Sequence, residues 1–328
     1  MAEQQIVWDS IQVLSLPMRH KFRGQNSREI LLFRGARRWA EWSPFTEYRD
    51  AVAARWLGAA LEWAGADLPE IKRNVISVNA TWPALPAGEL RELAPSFLGC
   101  RTVKLKVAGE SDWDADLKRI ALVRELMPGA RLRLDANGGW SVAEAIRAVR
   151  AVAELGIELD YLEQPVSDLR GLQELRRELE SQGLMAAIAI DESLRNNPDQ
   201  AELMSELGFE VIVLKTAPLG GIATALELQQ QFPDARFVVS SALESSIGLQ
   251  AGLHLAAALQ VPAEDCGLAT AALFESDVVS IPLKSKNGEI ALPENPLEPD
   301  LELTAGLRTT GEREEWWLAR LNRCLAML

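Results

Sequence analysis

Lysine and acidic residues close five short apolar runs of this chain, and their spacing suggests one site. Lys104 and Lys106 lie two residues apart in T-V-K-L-K-V, so on a β-strand both side chains project from the same face. Four later runs end in charged residues, namely Asp135, Glu163, Asp191 and Lys215. The gaps from Lys106 onwards are 29, 28, 28 and 24 residues. Because buried lysines are costly unless carboxylates or a metal site balance them, the pattern predicts a single active site.

The three acidic side chains are oxygen ligands of the kind that a hard divalent cation prefers, and they predict Mg²⁺. Neither Cys nor His stands at a matching position in the sequence, which disfavours zinc. A lysine near such a cation and near a second lysine has a lowered pKa and can act as a base near neutral pH. The set therefore predicts removal of a proton α to a carboxylate, with a metal stabilising the enediolate. The alternative is that the carboxylates are helix N-caps or ion-pair partners and that Lys104 forms a structural ion pair.

Composition restricts the partners and the location. The chain has 328 residues, of which 48% are hydrophobic, and a net charge of −13, which disfavours nucleic acid and anionic membranes as partners. An anionic substrate therefore requires a locally positive site. Cys100, Cys266 and Cys324 match neither a disulfide framework nor a zinc pattern. The amino terminus lacks signal-peptide features and no run is long enough to span a membrane, so we expect a cytoplasmic protein.

The first 74 residues predict a small α+β unit. Three strand-like runs over 6–16, 29–33 and 37–42 precede a helix over about 47–64, with Thr46 as its expected N-cap. A further helix is predicted over 312–328, where apolar residues recur with helical spacing. We expect part of residues 300–328 to join this first unit.

From residue 75 strand-like and helix-like segments alternate, which is typical of a parallel sheet. The predicted strands are 75–79, 102–107, 131–135, 159–163, 187–191, 211–215, 236–240 and 265–269. Eight such strands can close a barrel, with the charged residues gathered at their carboxyl ends. An open, doubly wound sheet is the alternative, and it ranks lower because no glycine-rich turn follows the first strand.

Short motifs around the charged residues resemble the signature of the enolase superfamily, muconate-lactonizing-enzyme subgroup. They are K-L-K at 104–106, D-A-N at 135–137, E-Q-P at 163–165, D-E-S at 191–193 and the strand-end lysine at 215. The resemblance implies an α/β fold in which an α+β capping domain (1–74) covers a TIM-like (β/α)₇β barrel (75–299).

The same resemblance implies a role for each charged residue. Asp135, Glu163 and Asp191 would bind Mg²⁺, with Mn²⁺ as a substitute. Lys106 would be the acid/base, Lys215 would stabilise the enediolate from the opposite face, and Lys104 would give electrostatic support.

Longer motifs are similar to those of the o-succinylbenzoate synthase family within that superfamily. They are K-T-A-P-L-G-G-I at 215–222, S-S-A-L-E-S-S-I-G at 240–248 and G-L-A-T at 267–270. The similarity implies syn-dehydration of 2-succinyl-6-hydroxy-2,4-cyclohexadiene-1-carboxylate, a small dianion, in menaquinone biosynthesis. Lys106 would remove the α-proton and then protonate the departing hydroxyl on the same face.

Substrate contacts are expected from Asn137, Ser240, Ser241 and Gly267. Backbone N–H groups near Ser240 and in the 267–270 loop could hold a second carboxylate, whereas ordinary helix capping is the alternative for the two serines. Arg19, His20 and Phe22 are expected in a mobile cap loop.

Two other functions stay open at this point. An N-acylamino-acid racemase or dipeptide epimerase would use Lys106 and Lys215 as its two acid/base groups. A non-catalytic binding barrel is a more distant alternative. The oligomeric state is left open.

Overall fold

An antiparallel sheet and one helix form the amino-terminal part of the chain. The computed structural model describes residues 6–22, 24–109, 113–197 and 201–328. Strands β1 (Val7–Phe22), β2 (Gln25–Arg34) and β3 (Trp39–Trp42) pair in that order, and helix α1 (Asp50–Gly65) packs on β3. Its apolar residues Trp56, Leu57 and Leu61 are buried.

Strand β1 is longer than the sequence predicts. It pairs with β2 as far as Phe22, which lies opposite Gln25. Arg19, His20 and Phe22 therefore belong to a strand, so the expectation that they form a cap loop is wrong. Arg19 Nε donates to the carbonyl of Phe274 at 2.9 Å.

Helix α1 begins later than predicted. Its N-cap position is Arg49, which makes no side-chain cap bond, so the prediction of Thr46 as the N-cap is wrong. Residues 45–48 form a turn instead, in which the Tyr48 N–H donates to the Phe45 carbonyl at 3.1 Å. The turn brings the two aromatic rings to a centroid distance of 5.5 Å.

Seven parallel strands form the central sheet, in the order in which they occur along the chain. They are β5 (Ala80–Trp82), β6 (Thr102–Lys106), β7 (Arg131–Asp135), β8 (Leu159–Glu163), β9 (Ile188–Ile190), β10 (Val211–Leu214) and β11 (Arg236–Val239). Their residues are almost all buried, as expected of parallel strands with both faces covered. Each carboxyl end therefore reaches the same edge of the sheet, which we call the mouth.

Helices cover this sheet between the strands, as the alternating pattern predicts. They are α2 (Ala87–Leu93), α3 (Trp113–Leu126), α4 (Val142–Glu154), α5 (Leu169–Ser181), α6 (Glu192–Asn196), α7 (Ala201–Glu206), α8 (Thr216–Leu219), α9 (Ile222–Gln231) and α10 (Ser246–Ala258). Ser141 and Glu144 form a capping box at the start of α4, and the Asp168 side chain caps α5.

The first and last predicted strands of the sheet differ from the observed ones. Residues 75–77 form β4, which pairs antiparallel with β12 (Glu289–Ala291), so the first sheet strand is β5. Residues 264–267 make only isolated bridges, and 269–273 form a 3₁₀ turn. The short segment nevertheless bonds to both edges of the sheet: the Gly267 N–H donates to the Val239 carbonyl at 2.8 Å, and the Asn79 N–H donates to the Cys266 carbonyl at 2.9 Å.

The carboxyl-terminal residues return to the amino-terminal sheet. Helix α11 (Leu301–Ala305) precedes α12 (Glu312–Leu325), whose Trp317 is fully buried with its ring centroid 5.4 Å from that of Trp42. The Thr309 N–H donates to the Val13 carbonyl at 2.9 Å. Among the helices described, none has the length and apolar character needed to cross a membrane.

Candidate active site

Strand register brings the predicted carboxylates side by side at the mouth. Lys106 lies opposite Asp135 in the pairing of β6 with β7, and Asp135 lies opposite Glu163 in the pairing of β7 with β8. Asp191 follows directly after β9, the next strand in the sheet. The three carboxylate residues are at most 1% exposed, so their charge must be balanced by nearby groups.

Lysine ammonium groups provide that balance, one at each carboxylate. Lys104 Nζ lies 3.1 Å from both carboxylate oxygens of Glu163 and 3.4 Å from Asp135 Oδ2. Lys106 Nζ lies 2.5 Å from Asp135 Oδ2, and Lys215 Nζ lies 2.5 Å from Asp191 Oδ2. We call these six residues the mouth cluster. The structure thus brings together every residue for which the sequence predicts a metal-binding or acid/base role.

Burial and neighbouring charges shift the pKa values of the cluster in different directions. Burial raises the pKa of Glu163 to about 7, and the charge of Asp135 acts in the same direction. Burial would also raise the pKa of Asp135, but Lys106 and Lys104 outweigh it and lower that pKa. Burial lowers the pKa of Lys106 despite the opposing charge of Asp135, and the charges of Lys104 and Lys215 add to the lowering. A lowered lysine pKa favours action as a base.

The carboxylates have the chemistry of a divalent cation site, although lysines lie between them. Within the described ranges, no three His, Cys, Asp or Glu side chains are grouped closely enough to hold an ion, and each of the three carboxylates contacts an ammonium group. Lys104 Nζ contacts both Glu163 and Asp135, so a positive charge between these two carboxylates is accommodated. The three buried carboxylates carry the hard oxygen donors that such a cation prefers.

A chain of hydrogen bonds joins Lys106 to Lys215 around the mouth. Lys106 Nζ donates to Asn137 Oδ1 at 2.7 Å, and Asn137 Nδ2 donates to Glu192 Oε1 at 3.1 Å. Arg195 then donates to Glu192 Oε1 at 2.6 Å and to Asp191 Oδ1 at 3.1 Å. Asp191 in turn contacts Lys215, so the series of hydrogen bonds from Lys106 to Lys215 is continuous. Asn137 lies where a substrate contact is predicted, and it also positions the amine of Lys106.

Glu192 and Arg195 are site residues that the sequence did not predict. The available signal was the spacing of D-E-S-L-R, because residues four apart on a helix can pair. Helix α6 provides that spacing directly after Asp191, and it places the Arg195 guanidinium in the cavity wall.

Ser240, Ser241 and Gly267 lie together on the β11 side of the mouth. The N–H groups of the two serines donate to the carbonyls of Leu214 and Gly267, and the Gly267 N–H bonds to Val239. These three backbone donors are used within the fold, so the prediction of a second-carboxylate site rests on the N–H groups of residues 268–270 and on the nearby hydroxyls. Helix capping is excluded for the two serines, since Ser245 is the N-cap of α10.

The hydroxyl groups on this side remain at the cavity. Ser240 Oγ lies 3.5 Å from Lys104 Nζ, and Ser241 Oγ lies 2.8 Å from Thr270 Oγ1. A Cβ atom at Gly267 would be 2.5 Å from Ser240 Oγ, so only glycine permits this close approach.

A cavity with about 530 Å³ of unfilled space, including open solvent, lies above the cluster. The three lysines, Asn137, Ser240, Ser241 and Gly267 all line it. Aromatic side chains from the amino-terminal part form another wall: Phe22, Phe45, Tyr48 and Trp56. The last three were not predicted as site residues, because their placement depends on how α1 and the turn before it pack against the sheet.

Comparison with known proteins agrees with this architecture. The family described as "Enolase C-terminal domain-like" matches residues 89–297, and "Enolase N-terminal domain-like" matches residues 13–64. The muconate lactonizing enzyme from Pseudomonas putida has a TM-score of 0.73 at 20% identity, covering 91% of this chain and 98% of that chain. The L-Ala-D/L-Glu epimerase from Bacillus subtilis has a TM-score of 0.74 at 23% identity, covering 87% and 96%. These structures share the fold, and the chain belongs to the enolase superfamily.

Full-length relatives define the family more closely. The o-succinylbenzoate synthase of Mycobacterium tuberculosis is 40% identical over 322 residues, covering 98% of this chain and 95% of that protein. The o-succinylbenzoate synthase of Mycobacterium ulcerans is 40% identical over 323 residues, covering 98% and 94%. Within the superfamily, the chain belongs to the o-succinylbenzoate synthase family, which confirms the resemblance drawn from the sequence motifs.

Proposed function

We propose that this protein is an o-succinylbenzoate synthase, a lyase that dehydrates 2-succinyl-6-hydroxy-2,4-cyclohexadiene-1-carboxylate to 2-succinylbenzoate in menaquinone biosynthesis. The observation that carries the proposal is the 40% identity to o-succinylbenzoate synthases over nearly the whole chain. The mouth cluster supports it, because two amines and three carboxylates of the required types line or underlie one cavity.

Lys106 performs both proton transfers. Its neutral amine takes the proton from the ring carbon that bears the carboxylate, and the C–H bond breaks. The resulting ammonium then gives that proton to the hydroxyl on the neighbouring carbon as the C–O bond breaks, so water leaves from the same face and the ring becomes aromatic. The lowered pKa of Lys106 makes the amine available, and Asn137 holds it at 2.7 Å.

Lys215 acts as a fixed positive charge on the other side. Its ammonium group lines the cavity and stabilises negative charge that develops on the substrate carboxylate. Lys104 is nearly fully buried between Glu163 and Asp135, and the charges of these two carboxylates raise its pKa despite burial. It therefore stays protonated and supports the site by its charge.

We infer that the cation is Mg²⁺, held by Asp135, Glu163 and Asp191, with Mn²⁺ as a substitute. When bound, it supplies electrophilic stabilisation of the enediolate, because the α-proton of a carboxylate is too weakly acidic for a base alone. The buried carboxylates supply the hard oxygen donors, and Lys104 shows that positive charge is tolerated between two of them.

The cavity walls favour a small dianion despite the acidic chain. The charged side chains that line the cavity are lysines and an arginine, and the carboxylates that pair with them lie beneath it. Phe45, Tyr48 and Trp56 offer an apolar surface for the ring and the succinyl chain. The indole N–H of Trp56 is buried without an acceptor among the residues described, and a substrate oxygen would provide one. The hydroxyls of Ser241 and Thr270 can bond to the second carboxylate.

We further propose that residues 75–299 form a closed (β/α)₇β barrel and that residues 1–74, with part of 300–328, form its capping domain. The bonds of residues 264–267 to both β5-side and β11-side segments support closure. A cytoplasmic location is consistent with three buried cysteines that form no disulfide.

The test is dehydration of the cyclohexadiene substrate by purified protein with Mg²⁺ and after removal of divalent cations. We expect conversion to 2-succinylbenzoate that is lost without the cation and restored by Mg²⁺. Deuterium uptake from solvent by N-succinyl amino acids of each hand tests the racemase alternative, which the full-length relatives do not favour. Efficient exchange without dehydration would overturn the proposal.

A further inference from the structure

Helix α9 is capped by a carboxylate from a distant part of the chain. Glu62 Oε2 accepts a hydrogen bond from the Ile222 N–H at 2.6 Å, and Glu62 Oε1 accepts one from the Ala223 N–H at 3.0 Å. These donors begin α9 and have no acceptor within the helix. Gly221 is at the N-cap position and has no side chain to bond to them. Negative charge at this end is also favoured by the helix dipole.

Two consecutive glycines permit the contact. Gly221 has a φ of +140°, and a Cβ atom there would overlap with Glu62 Oε2. Gly220 has a φ of +96°, and its Cβ would lie 3.2 Å from Cγ of Arg55. The G-G pair of the 215–222 motif therefore allows α1 to approach the backbone that follows Lys215.

The same face of α1 also reaches the segment after Asp191. Arg55 and Glu62 are seven residues apart, so they lie on one side of the helix. Arg55 Nη1 donates to the carbonyl of Arg195 at 2.6 Å, and the Arg195 side chain contacts Asp191. Trp56, the neighbour of Arg55, lines the cavity. Helix α1 is thus joined to the segments that follow two residues of the mouth cluster.

We propose that Glu62 is a positioning residue for the reaction: it fixes the segment from Lys215 to Ile222 against the helix that carries Trp56. This inference rests on the proposed function. Lys215 directly precedes α8, and its carbonyl accepts from the Leu219 N–H at 3.1 Å, so a shift of the segment moves the ammonium group. Ala223 is exposed, which means that water can replace the lost acceptor there and the fold can persist.

The test compares Glu62→Ala, Glu62→Gln and the control Asp67→Asn. Asp67 lies just after the same helix, is 86% exposed and pairs with Arg37. Its substitution therefore also removes one carboxylate, but away from the segment that follows Lys215. We expect Glu62→Ala to lower kcat by about ten- to a hundredfold while KM changes less than about threefold. Glu62→Gln, which keeps one acceptor oxygen, should fall between, and the control should match the wild type. Loss of kcat only in proportion to the unfolded fraction, or no loss, would overturn the proposal.

Hydrogen exchange gives a readout that does not depend on activity. Backbone amides of 216–226 should exchange faster in Glu62→Ala than in the wild type, and those of α4 should not change. In Gly221→Ala the new Cβ meets the Glu62 carboxylate, so adding Glu62→Ala should recover part of the lost melting temperature. The positioning role would be contradicted if amide exchange in 216–226 were unchanged in Glu62→Ala and if the two substitutions lowered the melting temperature additively. A wild type that protects these amides but does not dehydrate the substrate would instead refute the proposed function.

Discussion

Arg133 and Asp135 lie two residues apart on β7, yet they belong to charge clusters of different character. Towards the amino ends of the strands, Arg133 Nε contacts Asp160 Oδ2 at 2.7 Å, and Arg133 Nη1 donates to Asn79 Oδ1 at 3.0 Å. We call this group the floor cluster, and it consists of Arg133, Asp160 and Arg236, whose Nη1 lies 2.8 Å from Asp160 Oδ1. At the mouth, each lysine contacts its carboxylate partners through a single atom, Nζ, and the lysine lines a cavity.

The difference lies in geometry more than in charge. The guanidinium of Arg133 bonds in several fixed directions, and it also lies 4.7 Å from the ring centroid of Tyr161. Burial would raise the pKa of Asp160, but Arg133 and Arg236 lower it, so that carboxylate stays charged and paired. At the mouth, burial and the charge of Asp135 raise the pKa of Glu163, whereas neighbouring lysines outweigh burial and lower the pKa values of Asp135 and Asp191. The floor cluster is held by the several bonds of one guanidinium, and the proposed function assigns proton transfer and cation binding to the mouth cluster.

Lys106→Ala should show the largest difference between the two clusters, because it should reduce the activity far more than the stability. Loss of the amine that we propose as the base should reduce dehydration by about 10⁴-fold. The fold should persist, because Lys106 lines the cavity and the smaller side chain leaves only additional open space there. Absorbance of the substrate gives the rate, and thermal unfolding gives the stability. Lys118→Ala, at an exposed lysine of α3, is the matched control. Retention of more than a tenth of the activity in Lys106→Ala would contradict the assigned role.

Arg133→Leu should have the opposite effect, reducing the stability far more than the activity. It leaves Asp160 buried with one fewer partner, so we expect the free energy of unfolding to fall by about 3–5 kcal/mol. The activity per folded molecule should stay within a few fold, because Arg133 does not line the cavity. Urea unfolding followed by circular dichroism measures the first quantity. An active-site effect larger than the stability effect would show that the two clusters are not separate.

Glu41 sharpens the comparison, since it is a buried carboxylate held by hydroxyls. Glu41 Oε1 accepts from Ser43 at 2.6 Å, and Glu41 Oε2 accepts from the Ser245 N–H at 2.9 Å. Burial raises its pKa from 4.5 to about 7, the charge of Glu244 adds to this, and Arg28 opposes it. The folded state therefore keeps a proton that the unfolded state loses above pH 4.5.

Stability from this group is complete below pH 4.5 and is lost as the pH rises through 7. Between pH 4.5 and about 7, ionisation of Glu41 should lower the free energy of unfolding of the wild type by on the order of 1–3 kcal/mol. In Glu41→Gln this decrease should be absent. Chemical unfolding at several pH values measures it, and Glu47→Gln at an exposed position is the control. Parallel pH profiles for wild type and Glu41→Gln would contradict the assignment.

The residues of the mouth cluster could be predicted from sequence because parallel strands place their carboxyl ends at one edge. A charged residue at the end of an apolar run can therefore be assigned to this edge from the sequence alone. The alternation from residue 75 likewise predicted the α/β fold with a parallel sheet. The motifs around these residues also led to the family that the comparisons confirm.

Other features depended on contacts between distant segments. Residues 75–77 read as a sheet strand, but they pair with residues 289–291, which lie more than two hundred positions away. The aromatic wall from Tyr48 and Trp56 requires α1 to dock near the mouth, and the helix pattern alone indicates only a buried face. The N–H groups at Ser240 and Ser241 are consumed by pairing that sequence cannot assign.

Binding of Mn²⁺ to the protein, followed by electron paramagnetic resonance, tests most directly whether three neighbouring strands build one cation site. Wild-type protein should bind one ion per chain, and the variants Asp135→Asn, Glu163→Gln and Asp191→Asn should each bind it far more weakly while remaining folded. Equal binding in the three variants, or none in the wild type, would contradict the account of the mouth cluster.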